Sequence, residues 1–154
     1  MTGAATAAPV QVAPDLAGRT FSAPATYVVG REIVRQFSQA VGADHPLHHD
    51  EHAAREAGFD DVVAPPTFAV VVAQPATDRM MADPEVGLEY SRIVHGEQVF
   101  DHHAPITAGD ELEATMTVSA VRAAAGAHLL TLVTEVTTVS GEPRSTVTAL
   151  LVHR

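Results

Sequence analysis

The stretch that decides the fold lies between residues 42 and 68 and reads GADHPLHHDEHAAREAGFDDVVAPPTF. Its first part places Asp44 and several histidines around Pro46. Because proline cannot continue a helix and also restricts the residue before it, we expect residues 43–49 to form a loop. Its last part is an apolar segment that opens on two prolines. An acid and imidazoles in a turn beside a buried element form a candidate proton-transfer site.

Two helices flank this loop in the sequence pattern. Between residues 31 and 41 the apolar side chains fall on one helical face, and Gly42 supplies a common helix end. Asp50 can cap a second, short helix that runs through Ala57 and closes at Gly58.

The segment 67–74, which reads TFAVVVAQ, is apolar all round and is therefore expected to be buried. Its valines favour a strand, whereas its alanines and the prolines before it favour a helix. We interpret it as a helix that begins at Pro65 and Pro66, and we expect Pro75 to kink or end it.

The second half of the chain reads as strands separated by short turns. Alternation is clean over residues 111–118, and turn residues separate the runs. Early helices and late antiparallel strands predict the α+β class. We expect one domain over residues 19–154, preceded by a flexible, Ala- and Pro-rich tail over 1–18. The predicted strands are a short one over 21–29 and longer ones over 93–103, 111–120, 129–139 and 145–153.

Composition and charge exclude several classes of function. The chain has 154 residues, of which 46% are hydrophobic, which suits one domain with a buried core. Its net charge of −10 disfavours nucleic-acid binding. It contains neither cysteine nor lysine, which excludes disulfides, thiol catalysis and lysine Schiff bases. No apolar run approaches the roughly 18 residues of a membrane span, and the N-terminus does not read as a secretory signal, so we expect a cytoplasmic protein.

The order of these motifs resembles the MaoC-like hotdog dehydratases and hydratases. Their usual pattern reads G-D-x-N-P-[LI]-H-x-D, then A-x-x-x-G-F, then V-[IV]-A-H-G-M, and residues 42–68 follow it with departures. The resemblance implies a hotdog fold, in which an antiparallel sheet wraps around one central helix. It also implies a dimer, because such a sheet leaves an exposed edge.

The resemblance carries the catalytic positions onto this chain residue by residue. The family histidine falls on His48 and is present, whereas the family aspartate falls on Ala43, so Asp44 is the nearest substitute. The family asparagine falls on His45, which we include among candidate substrate-binding residues. The glycine whose N–H binds the enolate oxygen falls on Pro66, and proline has no N–H.

These departures match a subfamily. The degenerate (HadA-like) subunit of heteromeric mycolic-acid-type (3R)-hydroxyacyl-thioester dehydratases typically reads V-A-P-x-T-F, and residues 63–68 read VAPPTF. The resemblance implies that Thr67, Phe68, Tyr90 and Arg92 also contact the substrate. It implies a hydro-lyase subunit that acts on acyl chains carried by acyl carrier protein or coenzyme A, as a homodimer or as a heterodimer with another hotdog subunit.

Three alternatives stay open at this point. The chain is either catalytic through His48 and Asp44, or it binds the acyl group while a homologous partner supplies the chemistry. A non-enzymatic acyl-binding or scaffolding protein is the third reading. We expect no cofactor and no metal site, because Pro46 prevents His45, His48 and His52 from sharing one helical face. We interpret the adjacent His102 and His103 as surface residues on opposite faces of a strand.

Overall fold

The computed structural model describes residues 11–154, which form an antiparallel sheet packed on one long helix. The elements are β1 Thr20–Ser22, β2 Tyr27–Val28, α1 Arg31–Val41, α2 Glu51–Glu56, α3 Ala69–Ala82, β3 Ile93–His102, β4 Glu111–Ala124, β5 Ala127–Thr138 and β6 Pro143–His153. The strands lie in the order β1-β4-β5-β6-β3, and β2 pairs with β4 beside β1. The α+β class predicted from the sequence is confirmed.

The local signals of the first half correspond to the observed ends of helices. Gly42 ends α1 in the left-handed conformation, at φ 69°. Asp50 caps α2, and its Oδ1 accepts a hydrogen bond of 2.8 Å from the backbone N–H of His52. The single strand predicted over 21–29 is instead the two short strands β1 and β2.

The central helix is longer than predicted. α3 begins at Ala69, after a turn in which the N–H of Phe68 donates to the Pro65 carbonyl at 2.9 Å. Pro75 lies inside α3, so the expectation that it ends the helix was wrong. The helix continues because Ala76 and Met80, on its next turns, are fully buried against the sheet. Burial of a methionine side chain contributes about 1.5–3 kcal/mol, which offsets a proline penalty of about 3 kcal/mol when neighbouring contacts are added.

The predicted N-terminal tail extends too far into the chain. Residues 1–10 lie outside the described residues, but Val12 and Leu16 are buried in the core cluster that contains Met80. The N–H of Ala13 donates to the Val86 carbonyl at 3.0 Å, and the N–H of Gly18 donates to the Val118 carbonyl at 2.7 Å. Residues 12–18 therefore belong to the folded domain, because the side chains of Val12 and Leu16 pack in its core.

Replacement of Leu16 by alanine tests this docking. Leu16 is fully buried, so Leu16→Ala is expected to lower the free energy of unfolding by about 2–5 kcal/mol. Urea unfolding followed by circular dichroism measures the change, and Asp15→Ala, at an exposed neighbour, is the matched control. A Leu16→Ala loss no larger than that of the control would show that residues 12–18 do not dock.

A buried histidine joins the end of β6 to the segment before β3. His153 is 2% exposed, and its Nε2 accepts a hydrogen bond of 3.2 Å from the backbone N–H of Glu89. Burial lowers the pKa of His153, and the positive charges of Arg92 and of a protonated His128 lower it further, against the opposing charge of Glu89. The neutral ring is therefore the form that holds residue 89 on the sheet.

The lowered pKa of His153 predicts a loss of stability in mild acid. The unfolded chain takes up a proton near the ordinary pKa of 6.5, whereas the folded chain does so only at lower pH. The free energy of unfolding is therefore expected to fall from about pH 7 down to the folded pKa. Thermal melts of wild type and His153→Gln across this range measure the slope, which the uncharged amide should reduce. Equal slopes in wild type, His153→Gln and the exposed control His52→Gln would contradict the assignment.

Candidate functional site

The loop before α2 is built by its own side chains. Pro46–His48 forms one turn of 3₁₀ helix, and the Nδ1 of His45 caps it by accepting the N–H of Leu47 at 3.2 Å. The Nε2 of His49 lies 2.7 Å from the Ala43 carbonyl, and because a carbonyl only accepts, this nitrogen carries the proton. His45 and His49 therefore have structural roles on either side of His48.

His48 is half-buried and held in one orientation. Its Nδ1 lies 2.6 Å from the Val63 carbonyl, so Nδ1 carries the proton and donates it. In the neutral ring Nε2 is then the unprotonated nitrogen, which is the form that a general base requires. The N–H of Val63 donates to the Leu47 carbonyl at 2.8 Å, which fixes the carbonyl that orients the imidazole.

A pocket of about 430 Å³ opens beside His48. Pro66 is one of its walls, so His48 and Pro66 border the same pocket. The walls are largely apolar, and no backbone N–H is available at residue 66. The lining residues are His48, Val63, Ala64, Pro65, Pro66, His102, His103, Ala104, Pro105 and Ile106.

The other predicted members of this site lie apart from the pocket. Asp44 is exposed, and none of the hydrogen bonds found among residues 11–154 involves its carboxylate. His45 and Thr67 are also exposed and do not line the pocket. Phe68 is fully buried and packs edge-to-face on Phe37 at 5.3 Å between ring centroids. The structure therefore assigns Phe68 to the core rather than to a substrate contact.

Two ion pairs fix the backbone on which the pocket depends. Arg31 on α1 binds both carboxylate oxygens of Asp61 at 2.7–2.9 Å, and this hydrogen bonding lowers the pKa of Asp61. Asp61 also accepts the N–H of Val62, one residue before the carbonyl that holds His48. On the opposite wall, Arg144 on β6 binds Asp110 at 3.1 Å and so steadies the loop that follows β3.

A second cavity, of about 330 Å³, lies between α3 and the inner face of the sheet. One side of α3 packs in the core, and the adjacent side lines this cavity. Tyr90, a predicted substrate contact, is 79% exposed and lines the cavity, whereas Arg92 does not and donates instead to the Arg154 carbonyl. The lining residues are Val70, Ala73, Gln74, Thr77, Met81, Tyr90, Ile93, His95, Gln98, Leu132, Thr134, Val147, Ala149 and Leu151.

Some cavity-lining residues were not predicted from the sequence. His102 and His103 are exposed, as expected of surface histidines, but both also line the pocket of His48, because β3 ends at His102 and the chain turns there. Thr134 was not singled out, although it interrupts the apolar alternation of β5, which is a signal that the sequence contains. The residues around position 102 do not by themselves indicate where β3 ends or that this end lies beside residue 48.

The described residues contain neither a metal-binding cluster nor a membrane span. Over residues 11–154 no group of three or more His, Cys, Asp or Glu side chains is arranged to hold a metal ion. Within the same residues no helix is both long enough and apolar enough to cross a bilayer.

The chain is similar to a known family and to curated relatives over most of its length. The family model described as "FAS1-like, dehydratase domain region" matches residues 15–147. A UPF0336 protein of Saccharopolyspora erythraea is 48% identical over 137 residues, which are 89% of this chain and 88% of that protein. A UPF0336 protein of Clavibacter michiganensis is also 48% identical, over 93% of this chain and 96% of that protein.

Solved structures have the same fold. The HadBC (3R)-hydroxyacyl-ACP dehydratase complex of Mycobacterium tuberculosis contains a chain that superposes with a TM-score of 0.84 at 33% identity, over 92% of this chain and 99% of that one. A MaoC-like dehydratase superposes with a TM-score of 0.82 at 34% identity, over 90% of this chain and 42% of that one. The chain therefore belongs to the FAS1-like dehydratase-region family of MaoC-like hotdog proteins.

Proposed function

We propose that this chain is the acyl-binding subunit of a (3R)-hydroxyacyl-thioester dehydratase or enoyl-thioester hydratase. The acyl group is carried by acyl carrier protein or by coenzyme A. A homologous hotdog subunit supplies the catalytic acid and base. The family match and the likeness to one chain of a hydroxyacyl-ACP dehydratase complex support the reaction class.

One observation supports the proposal that acyl binding and catalysis belong to different subunits. The cavity under α3 is large enough for an acyl chain, but His48 does not line it. The His48 pocket in turn lacks two groups that the reaction needs. Hydration or dehydration requires a base for the proton at C2, a second polar group for the water, and a donor for the enolate oxygen. His48 provides a base, but Asp44 makes no contact with it and Pro66 has no N–H to donate.

The edge strand is the surface that we propose for the partner. Within the part of the chain that the structure describes, β3 pairs only with β6, so its other edge offers unpaired backbone groups. Val94 and Val99 on β3 are 48% and 40% exposed. Two residues that line the cavity lie on the same stretch of chain: Tyr90 precedes β3, and His95 directly follows Val94. A hotdog subunit that extends the sheet at β3 would bring its own catalytic loop to the cavity opening.

The anionic carrier needs cations in a chain of net charge −10. Arg31 and Arg55 lie beside Glu51, and Arg31 also pairs with Asp61. Arg92 and Arg154 meet beside the Tyr90 end of the cavity, and neither pairs with an Asp or Glu side chain among residues 11–154. We propose that these two arginines meet the phosphates of the carrier arm.

Turnover measurements separate this proposal from its alternatives. The purified chain is mixed with crotonyl-CoA and trans-2-octenoyl-CoA, alone and with a hotdog subunit that carries the intact catalytic motif. Loss of enoyl absorbance is expected only in the mixture, and His48→Ala should change the mixture's rate by less than about 3-fold. The exposed His52→Ala is the matched control. Binding without turnover in any mixture would favour a non-enzymatic acyl-binding protein.

A catalytic role of this chain itself is the second candidate. It rests on the orientation of His48, whose free Nε2 borders an apolar pocket. In that form His48 is the base and Asp44 orients the water after a shift of the loop. Turnover by the chain alone, reduced about 100-fold or more by His48→Ala, would contradict the acyl-binding proposal and establish this one.

A further inference from the structure

On the inner face of β5, Thr134 interrupts a row of apolar side chains. Every second residue of the strand points toward α3, and Leu130, Leu132 and Val136 in this row are buried and apolar. Thr134 occupies the same row and is 3% exposed. Its partners on the neighbouring strands are Met116 on β4 and Val147 on β6, so it is surrounded by apolar side chains.

The hydroxyl of Thr134 has no hydrogen-bond partner among residues 11–154, although every other buried polar side chain there has one. Ser38, Thr138, Ser145 and His153 each make a hydrogen bond to the protein. Thr134 instead lines the cavity under α3. The hydroxyl opens onto this cavity, so a hydrocarbon chain packed against it would leave it without a partner, which costs about 1–3 kcal/mol, whereas an oxygen placed there would satisfy it.

A second polar group faces the same space from the edge strand. Gln98 on β3 lines the cavity, and its Nε2 donates to the Thr148 carbonyl at 2.8 Å. Because that bond uses the amide nitrogen, the carbonyl oxygen of the Gln98 side chain remains as an acceptor. Thr134 thus offers a hydroxyl that both donates and accepts, and Gln98 an amide oxygen that accepts. The other polar side chains that line the cavity are Gln74, Thr77, Tyr90 and His95.

The position of Thr134 along the sheet gives its depth in the cavity. Thr134 pairs with Val147 on β6. Four residues further along β6, Leu151 pairs with His95, which is close in the chain to the exposed Tyr90. Four residues of antiparallel strand span about 14 Å. A thioester held at the Tyr90 end would therefore present the far part of its acyl chain to Thr134.

We propose that the cavity selects acyl chains that carry an oxygen substituent, a hydroxyl or a carbonyl, far from the thioester, and that Thr134 is the residue that recognises it. This inference rests on the proposed function, because it takes the cavity as the acyl site. A plain hydrocarbon chain of the same length fills the space but leaves the Thr134 hydroxyl unsatisfied. Selectivity then comes from that unmatched polar group.

Binding titrations of the protein as purified, with any subunit that copurifies, test the proposal. The probes are decanoyl-CoA and its monohydroxy isomers with the hydroxyl on successive carbons of the outer half of the chain. At least one isomer is expected to bind about 3- to 10-fold more tightly than decanoyl-CoA. Thr134→Val, of nearly the same shape, should abolish this ratio, and Thr134→Ser should keep it.

Thr131→Val is the matched control, because Thr131 lies on the same strand but faces away from this cavity. The ratio should survive in that variant. Binding of all probes without preference, or a preference that survives Thr134→Val, would overturn the proposal and leave the acyl-binding function intact. Failure of every thioester to bind would instead contradict the acyl-binding function, and this inference with it.

Discussion

The packing of α3 into the curve of the sheet is the interaction on which the rest of the molecule depends. Small residues let the helix approach the strands closely, and Phe68, Val72 and Met80 fill the contact. Both core clusters include residues of this helix or of the turn before it. The adjacent side of the same helix does not reach the sheet fully, and the cavity occupies the space that remains. One packing arrangement therefore produces both the core and the proposed acyl site.

Family membership bears on the class of reaction, whereas the chemistry of the site bears on whether this chain carries out that reaction by itself. The chain has the fold of its family, and the loop holds His48 with Nδ1 protonated and Nε2 free. In the family pattern that residues 42–68 resemble, the aspartate and the glycine fall on Ala43 and Pro66. Loss of a backbone donor cannot be repaired by a different rotamer, whereas an acyl cavity needs only shape and a few polar groups. The proposed specialisation for binding, with a partner for the chemistry, rests on that asymmetry.

Local signals in the sequence predicted the elements, and contacts distant in sequence decided the site. Gly42 and Asp50 marked helix ends because capping depends on one residue and its neighbours. The docking of Leu16, the continuation of α3 through Pro75 and the position of His102 beside His48 depend on strands far along the chain. Thr134 lies between these cases. The sequence shows that Thr134 is a polar residue within an apolar row, but it does not show the cavity that this residue lines.

The central claim is that the acyl chain lies between α3 and the sheet rather than in the pocket of His48. Photocrosslinking tests it most directly, with an acyl-CoA that carries a diazirine in its chain and mass spectrometry of the labelled peptides. If the acyl chain lies under α3, labels are expected on the cavity-lining parts of α3, β5 and β6, such as Thr77, Leu132 and Ala149. Labels confined to the 43–50 loop and to residues 102–106 would contradict it.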